Sequence, residues 1–283
     1  MSVAADPAPA GAPPPNELLQ RIGSGLVLAA VTLALVWAGA WPFGLLLAAV
    51  AGIASWEWSR VVRGVDFDAL MLLHAAAVVL AALTAVAGYG VPAAVGLVVV
   101  AIVMLILRWR QRDVLTGVGV LATGLPAICL ALMRTDNRFG FEAVLFIFLV
   151  VWATDIGGYV FGRSIGGPKL WPAVSPGKTW AGAIGGLLLA ALTGLAVGWF
   201  VASPDSLGVT MAALMLGLAA ELGDLAESAL KRRFGRKDAS NLIPGHGGIL
   251  DRVDGLMAAA VAAALFAMLR NPMHPGAGLL FWP

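Results

Sequence analysis

Apolar runs of helix-forming length dominate the chain, and short polar knots separate them. Nine runs stand at about residues 24–40, 43–59, 69–88, 91–108, 115–133, 141–161, 180–202, 208–230 and 254–270. A helix needs roughly 20 apolar residues to cross a ~30 Å hydrocarbon core, fewer where its flanks snorkel. The pattern therefore predicts an all-α polytopic membrane protein with about nine transmembrane helices. Only Trp41-Pro42 separates the first two runs, which predicts a tight helical hairpin. Alternatively the second run is partly re-entrant, because Glu57 lies near its end.

Composition agrees with the pattern. The chain is 60% hydrophobic and 12% charged, with a mean hydropathy of +0.90, whereas a soluble domain is about one-quarter charged. A net charge of +2 could suit an acidic partner, but basic cytoplasmic loops account for it in a membrane protein. Threading nine spans from a cytoplasmic N-terminus puts fifteen Lys and Arg residues on the cytoplasmic side. Only Arg134, Arg138 and Arg270 fall on the far side. This positive-inside bias predicts a cytoplasmic N-terminus and a C-terminus on the far side. Residues 1–20 read as a disordered Ala/Pro-rich tail without the features of a cleaved signal, so the first span is expected to be a retained anchor. Residues 21–140 read as N-terminal transmembrane helices, 141–271 as the helices and cytoplasmic loops that carry the chemistry, and 272–283 as a short tail. No internal repeat divides this single helical domain. The one cysteine, Cys129, can form neither an intrachain disulfide nor a Cys-based metal site.

Polar residues collect in two places. The first is the stretch TDIGGYVFGRSIGGPKLWPAVSPGKTW, residues 154–180. Asp155 follows a wholly apolar run, and a carboxylate at membrane depth is costly enough to suggest function; the alternative is a hydrogen bond between packed helices. Arg163, Lys169, Ser175 and Lys178 follow on a Gly/Pro-rich loop suited to an anion. Gly177-Lys178-Thr179 looks like the end of a nucleotide-binding P-loop, but that motif needs Gly where this chain has Pro172. The second place begins at ELGDLAESALKRR, residues 221–233. Glu221, Asp224, Ser228 and Lys231 fall on one helical face, flanked by Glu227. Asp251 and Asp254 then open the last span, after His246, Gly247 and Gly248.

Two acidic helix ends beside many cations suit Mg²⁺, which is usually held by one or two carboxylates together with substrate phosphates. Zinc is not expected, because the chain has neither a His pair at ligand spacing nor a second Cys. Such a site at a membrane surface fits a polyphosphate reacting with a lipid-bound group. No acyl-transfer nucleophile motif is present, and Ser175 and Ser228 read as hydrogen-bond donors.

Residues 228–254, SALKRRFGRKDASNLIPGHGGILDRVD, resemble the signature of the phosphatidate cytidylyltransferases. The matching positions are Ser228, Lys231, Arg232, Lys237, Asp238, Pro244, His246, Gly247, Gly248, Asp251, Arg252 and Asp254. The loop from Gly162 to Gly182 is similar to the family's upstream loop, except that Ala181 stands where members commonly carry Glu. The resemblance implies that CTP and phosphatidate react to give CDP-diacylglycerol and pyrophosphate in a Mg²⁺-dependent reaction of phospholipid synthesis. It makes Asp224 and Asp251 metal ligands that act in catalysis with Lys231 and Lys237. Ser175, Lys178, Ser228, Arg232, Asp238, His246, Gly247, Gly248 and Arg252 would bind substrate, while Asp155, Glu227 and Asp254 would be supporting or structural. A second cation such as K⁺ is implied by the resemblance alone.

The expected partners are CTP, phosphatidate and the bilayer, with no nucleic acid. The expected location is the bacterial inner membrane, with the site facing the cytoplasm. A CTP-dependent lipid or polyprenol kinase is the nearest rival; it would move only the γ-phosphate. An ion-coupled transporter would use Asp155, Glu221 and Asp224 as coupling residues. Gly182, Gly185 and Gly186 permit close helix packing, either in a homodimer or within one subunit.

Overall fold

The computed structural model describes residues 15–242 and 247–281, apart from the side chains of 15–22 and 24. The start of the Ala/Pro-rich tail lies outside the described residues. Helix α1 (Pro15–Ala38) and helix α2 (Ala40–Arg63) are separated at Gly39, whose φ is +129°. The break is therefore two residues earlier than the sequence suggests. Trp41 and Pro42 sit in the first turn of α2, where a proline has no helical N–H bond to lose. Helix α2 runs unbroken for 24 residues, which excludes the re-entrant alternative.

Helices α3 (Ala69–Val86), α4 (Gly90–Leu107), α5 (Leu115–Arg134) and α6 (Gly140–Ser164) follow. Strands β1 (Lys169–Trp171) and β2 (Ser175–Thr179) then form an antiparallel hairpin. Helices α7 (Trp180–Phe200), α8 (Ser206–Arg233), α9 (Leu250–Arg270) and the short α10 (Pro275–Leu280) complete the chain. Among the described residues, the eight helices α2–α9 are long and apolar enough to cross a membrane, and α1 adds the shorter apolar stretch Gly25–Ala38. Bulky side chains such as Trp37, Trp199 and Leu269 are 78%, 81% and 86% exposed, as expected of surfaces that face lipid. The chain is an integral membrane protein.

Side-chain caps fix where several helices begin. Asp68, Thr179 and Asp205 accept hydrogen bonds from the backbone N–H groups of Met71, Gly182 and Gly208 at 2.7, 3.1 and 3.0 Å. Each satisfies one of the amides that a helix start leaves without a partner. Helices α2–α5 pack together, α6–α9 follow one another as neighbours, and α5 and α6 both touch α9. Phe43 on α2 meets Phe148 on α6 edge-on, with ring centroids 6.2 Å apart.

Helices α6 and α7 touch almost backbone to backbone. A Cβ on Gly157 would lie 2.6 Å from the Gly185 carbonyl oxygen, and one on Gly182 would lie 2.7 Å from that of Gly158. The small-residue stripe on α7 thus serves packing within the chain. This contact brings the hairpin, which leads straight into α7, beside the polar end of α6. The hairpin itself is absent from the all-α reading, and it carries Ser175 and Lys178.

Candidate functional site

Helical spacing on α8 puts Glu221, Asp224 and Ser228 on one face, and Ser228 Oγ donates to Asp224 Oδ1 at 3.3 Å. The hairpin docks onto that face at two points. Lys178 Nζ lies 2.7 Å from Asp224 Oδ2, and Arg232 Nε donates to the Val174 carbonyl at 3.3 Å. Helix α6 supplies Asp155. These elements enclose a cavity of about 340 Å³ lined by Asp155, Tyr159, Ser175, Lys178, Glu221 and Asp224, among others. Both polar stretches of the sequence therefore meet in one place.

The charge of Asp224 acts on Asp155, Glu221 and Asp254 of α9, and that of Asp155 acts on Glu221 and Asp254. Like charges this close and partly withdrawn from water repel strongly. Lys178 on the cavity wall offsets part of that charge. The donor set, hard carboxylate oxygens in acidic excess, fits a divalent cation of the Mg²⁺ type. Among the described residues no three His, Cys, Asp or Glu side chains form a cage by themselves.

A second knot lies next to this cavity. Lys231 Nζ is 2.6 Å from both Glu227 Oε2 and Asp251 Oδ1, and the three side chains are only 11%, 5% and 8% exposed. Asp251 also accepts from the backbone N–H groups of Ala239 at 3.0 Å and Gly248 at 2.8 Å. Its position at the start of α9 favours a negative charge. The pairing expected between Asp224 and Asp251 is not a shared contact: each carboxylate holds a different lysine. Both oxygens of Asp251 are engaged by donors of the chain, and Asp251 does not line the polar cavity. It organises the loop between α8 and α9.

Glu57 is the residue that sequence reasoning missed. It is fully buried on α2, yet it reaches the other end of the chain. Its carboxylate accepts from Ser240 Oγ at 2.5 Å, Ile249 N at 3.0 Å and Leu250 N at 2.6 Å. It therefore caps α9 from outside, while Asp251 bonds the backbone just before the helix. Gly248 packs directly on this carboxylate, and a Cβ there would overlap it. Gly247 has φ +79°, a conformation that favours glycine. A lone Glu in an apolar run was the available signal, and its meaning needed a partner distant in sequence.

Of the other expected residues, Lys237 and Asp238 are exposed on the α8–α9 loop and do not line the polar cavity. Arg252 faces a separate apolar groove, from which its charge acts on Asp155. His246 and Pro244 lie outside the described residues.

Comparison with known proteins matches this arrangement to a family. The cytidylyltransferase family model matches residues 19–269. The chain is similar to the phosphatidate cytidylyltransferase of Brucella suis biovar 1 (strain 1330), at 40% identity over 93% of this chain and 98% of that protein. The protein of the same name from Brucella abortus biovar 1 (strain 9-941) is also 40% identical, over 90% of this chain and 94% of its own. That from Staphylococcus aureus (strain COL) is 49% identical over 42% of this chain and 46% of its own. A match running from α1 to the end of α9 takes in every element of the polar cavity and of the Lys231 knot, and the chain belongs to the cytidylyltransferase family.

Proposed function

We propose that the protein is a phosphatidate cytidylyltransferase, which joins CTP and phosphatidate into CDP-diacylglycerol with release of pyrophosphate. The observation that carries this reading is the polar cavity, where acidic side chains of α6 and α8 meet Lys178 of the hairpin. The names of relatives matching nearly the whole chain support the substrates.

The reaction needs position and charge neutralisation more than proton transfer. An ionised phosphate oxygen of phosphatidate forms a bond to the α-phosphorus of CTP. The bond from that phosphorus to the oxygen bridging to the β-phosphate breaks, and its electron pair leaves with pyrophosphate. No protein base is required. Lys178 and Ser175 line the cavity and would meet phosphate oxygens, and Ser228, bonded to Asp224, would orient it. Lys231 and Asp251 hold the loop that carries Gly247 and Gly248. Mg²⁺, when bound, would offset phosphate charge and stabilise the leaving pyrophosphate. Asp224, on the cavity wall beside Lys178, would hold it together with substrate phosphates.

The acyl chains stay in lipid while CTP arrives from water, so the site belongs at an interface. The excess of Lys and Arg in the loops around it supports a site facing the cytoplasm of a bacterial inner membrane, with the N-terminus on the same side. Mg²⁺ titrations of Asp224→Asn and Asp251→Asn test the assignment. Asp224→Asn should raise the Mg²⁺ concentration needed for half-maximal rate. Asp251→Asn should lower the rate without that shift. The reverse pattern would move the ion to Asp251, and wild-type kinetics in both would refute the site.

A further inference from the structure

Beside the polar cavity lies an apolar groove of about 490 Å³ between α1, α2, α5, α6 and α9. Its volume is within the range of small-ligand pockets, roughly 300–1,000 Å³. Phe43, Leu46, Val50 and Ile53 line it along α2, and Arg252 at the start of α9 is its one charged wall residue among those described. From Phe43 to Ile53 the helix rises about 15 Å at ~1.5 Å per residue. That is half of a ~30 Å hydrocarbon core, the depth of one leaflet.

The groove and the polar cavity adjoin across α6. Trp152 lines the groove, Asp155 lines the cavity less than one turn later, and the charge of Arg252 acts on Asp155. Arg252 is exposed. A ligand with an anionic head and a hydrocarbon tail of one-leaflet length matches both ends of this groove.

We infer that the groove seats one acyl chain of the lipid substrate, with Arg252 meeting its phosphate at the mouth. The inference rests on the cytidylyltransferase reading and adds where the lipid lies. A tail gains little by moving from bilayer to groove, because lipid hydrocarbon is as apolar as the wall. The groove therefore contributes position rather than affinity: it holds the attacking phosphate beside the polar cavity. A displacement of ~1 Å at a reacting centre can cost about a hundredfold in rate.

The test uses the purified full chain and phosphatidates of short and long acyl chains. Leu46→Trp plugs the groove deep, about 10 Å below Ile53 at ~1.5 Å per residue, where only a long chain reaches. It should lower kcat/KM for the long-chain lipid at least about tenfold and leave the short-chain lipid within about twofold. Ile53→Trp plugs the mouth and should lower both. Val50→Phe gives an intermediate plug should Leu46→Trp fail to fold, as judged by thermal unfolding. Equal effects on both chain lengths in the folded deep-plug variants, or no effect, would overturn the inference. So would a change in subunit number without chain-length dependence, which would make the groove a contact between copies. A wild-type protein that makes no CDP-lipid from either substrate would instead overturn the underlying function.

Discussion

Replacing Glu57 by Gln keeps the size of the side chain and removes one of its two acceptor oxygens. Ser240 Oγ and Ile249 N both reach Oε1, while Leu250 N reaches Oε2. With the amide oxygen in the Oε1 position, the amide nitrogen faces Leu250 N, donor against donor. The lost bond to a charged acceptor is worth about 1.5–3 kcal/mol, and a buried N–H left unpaired costs about 1–3 kcal/mol more. A value of about 3 kcal/mol, near the lower end of that sum, corresponds to roughly a hundredfold in the population of the docked loop, at 1.4 kcal/mol per tenfold. Hydrogen exchange in detergent reads this directly. Protection of Ile249 and Leu250 should fall about a hundredfold, protection in α3 and α4 should stay as in wild type, and turnover should fall with the loop. Glu57→Asp, which keeps both oxygens, should recover part of the loss. Unchanged protection and turnover in Glu57→Gln would refute the argument that α2 holds the α8–α9 loop.

Two further outcomes follow from the ion pairs. Lys231→Met leaves Glu227 and Asp251 without their shared cation. It should lower stability by about 3–5 kcal/mol, the usual cost of breaking a buried pair from one side. Thermal unfolding in detergent checks this, and adding Glu227→Gln should restore part of the loss. At the membrane edge, the Arg63 guanidinium bonds Asp68 at 2.5 and 2.8 Å and holds its carboxyl below the ordinary 3.8. A carboxyl depressed in the folded state gives stability that is complete above its unfolded value and is lost as pH falls through the folded one. Asp68→Asn should therefore lower the melting temperature at neutral pH, and the difference from wild type should shrink as pH falls below 3.8.

The helical membrane architecture was legible because apolar runs of spanning length have few alternatives. The α8 face was legible for a similar reason: residues three and four apart must share a side, and Ser228 does reach Asp224. The hairpin was not. Its Gly and Pro residues mark turns, but the pairing of Lys169 with Thr179 depends on docking against α8 and α7. Glu57 was illegible for the same physical reason. Its three donors lie 183 to 193 residues away, and no periodicity encodes that meeting. Asp251 shows a different limit of the sequence. Its residue type and position suited a metal ligand, but the sequence does not reveal that backbone amides and Lys231 already occupy its oxygens.

The central claim is a cytidylyl transfer at the polar cavity, and the fate of the CTP phosphates tests it most directly. Purified protein, Mg²⁺ and phosphatidate vesicles are incubated with CTP labelled at either the α- or the γ-phosphate, and the lipid is extracted. The account predicts α-label in the lipid product and γ-label in water-soluble pyrophosphate, with both signals reduced in Asp224→Asn at the same Mg²⁺ concentration. γ-Label in the lipid would identify a kinase instead, and absence of both labels from the lipid in the wild-type protein would contradict the account.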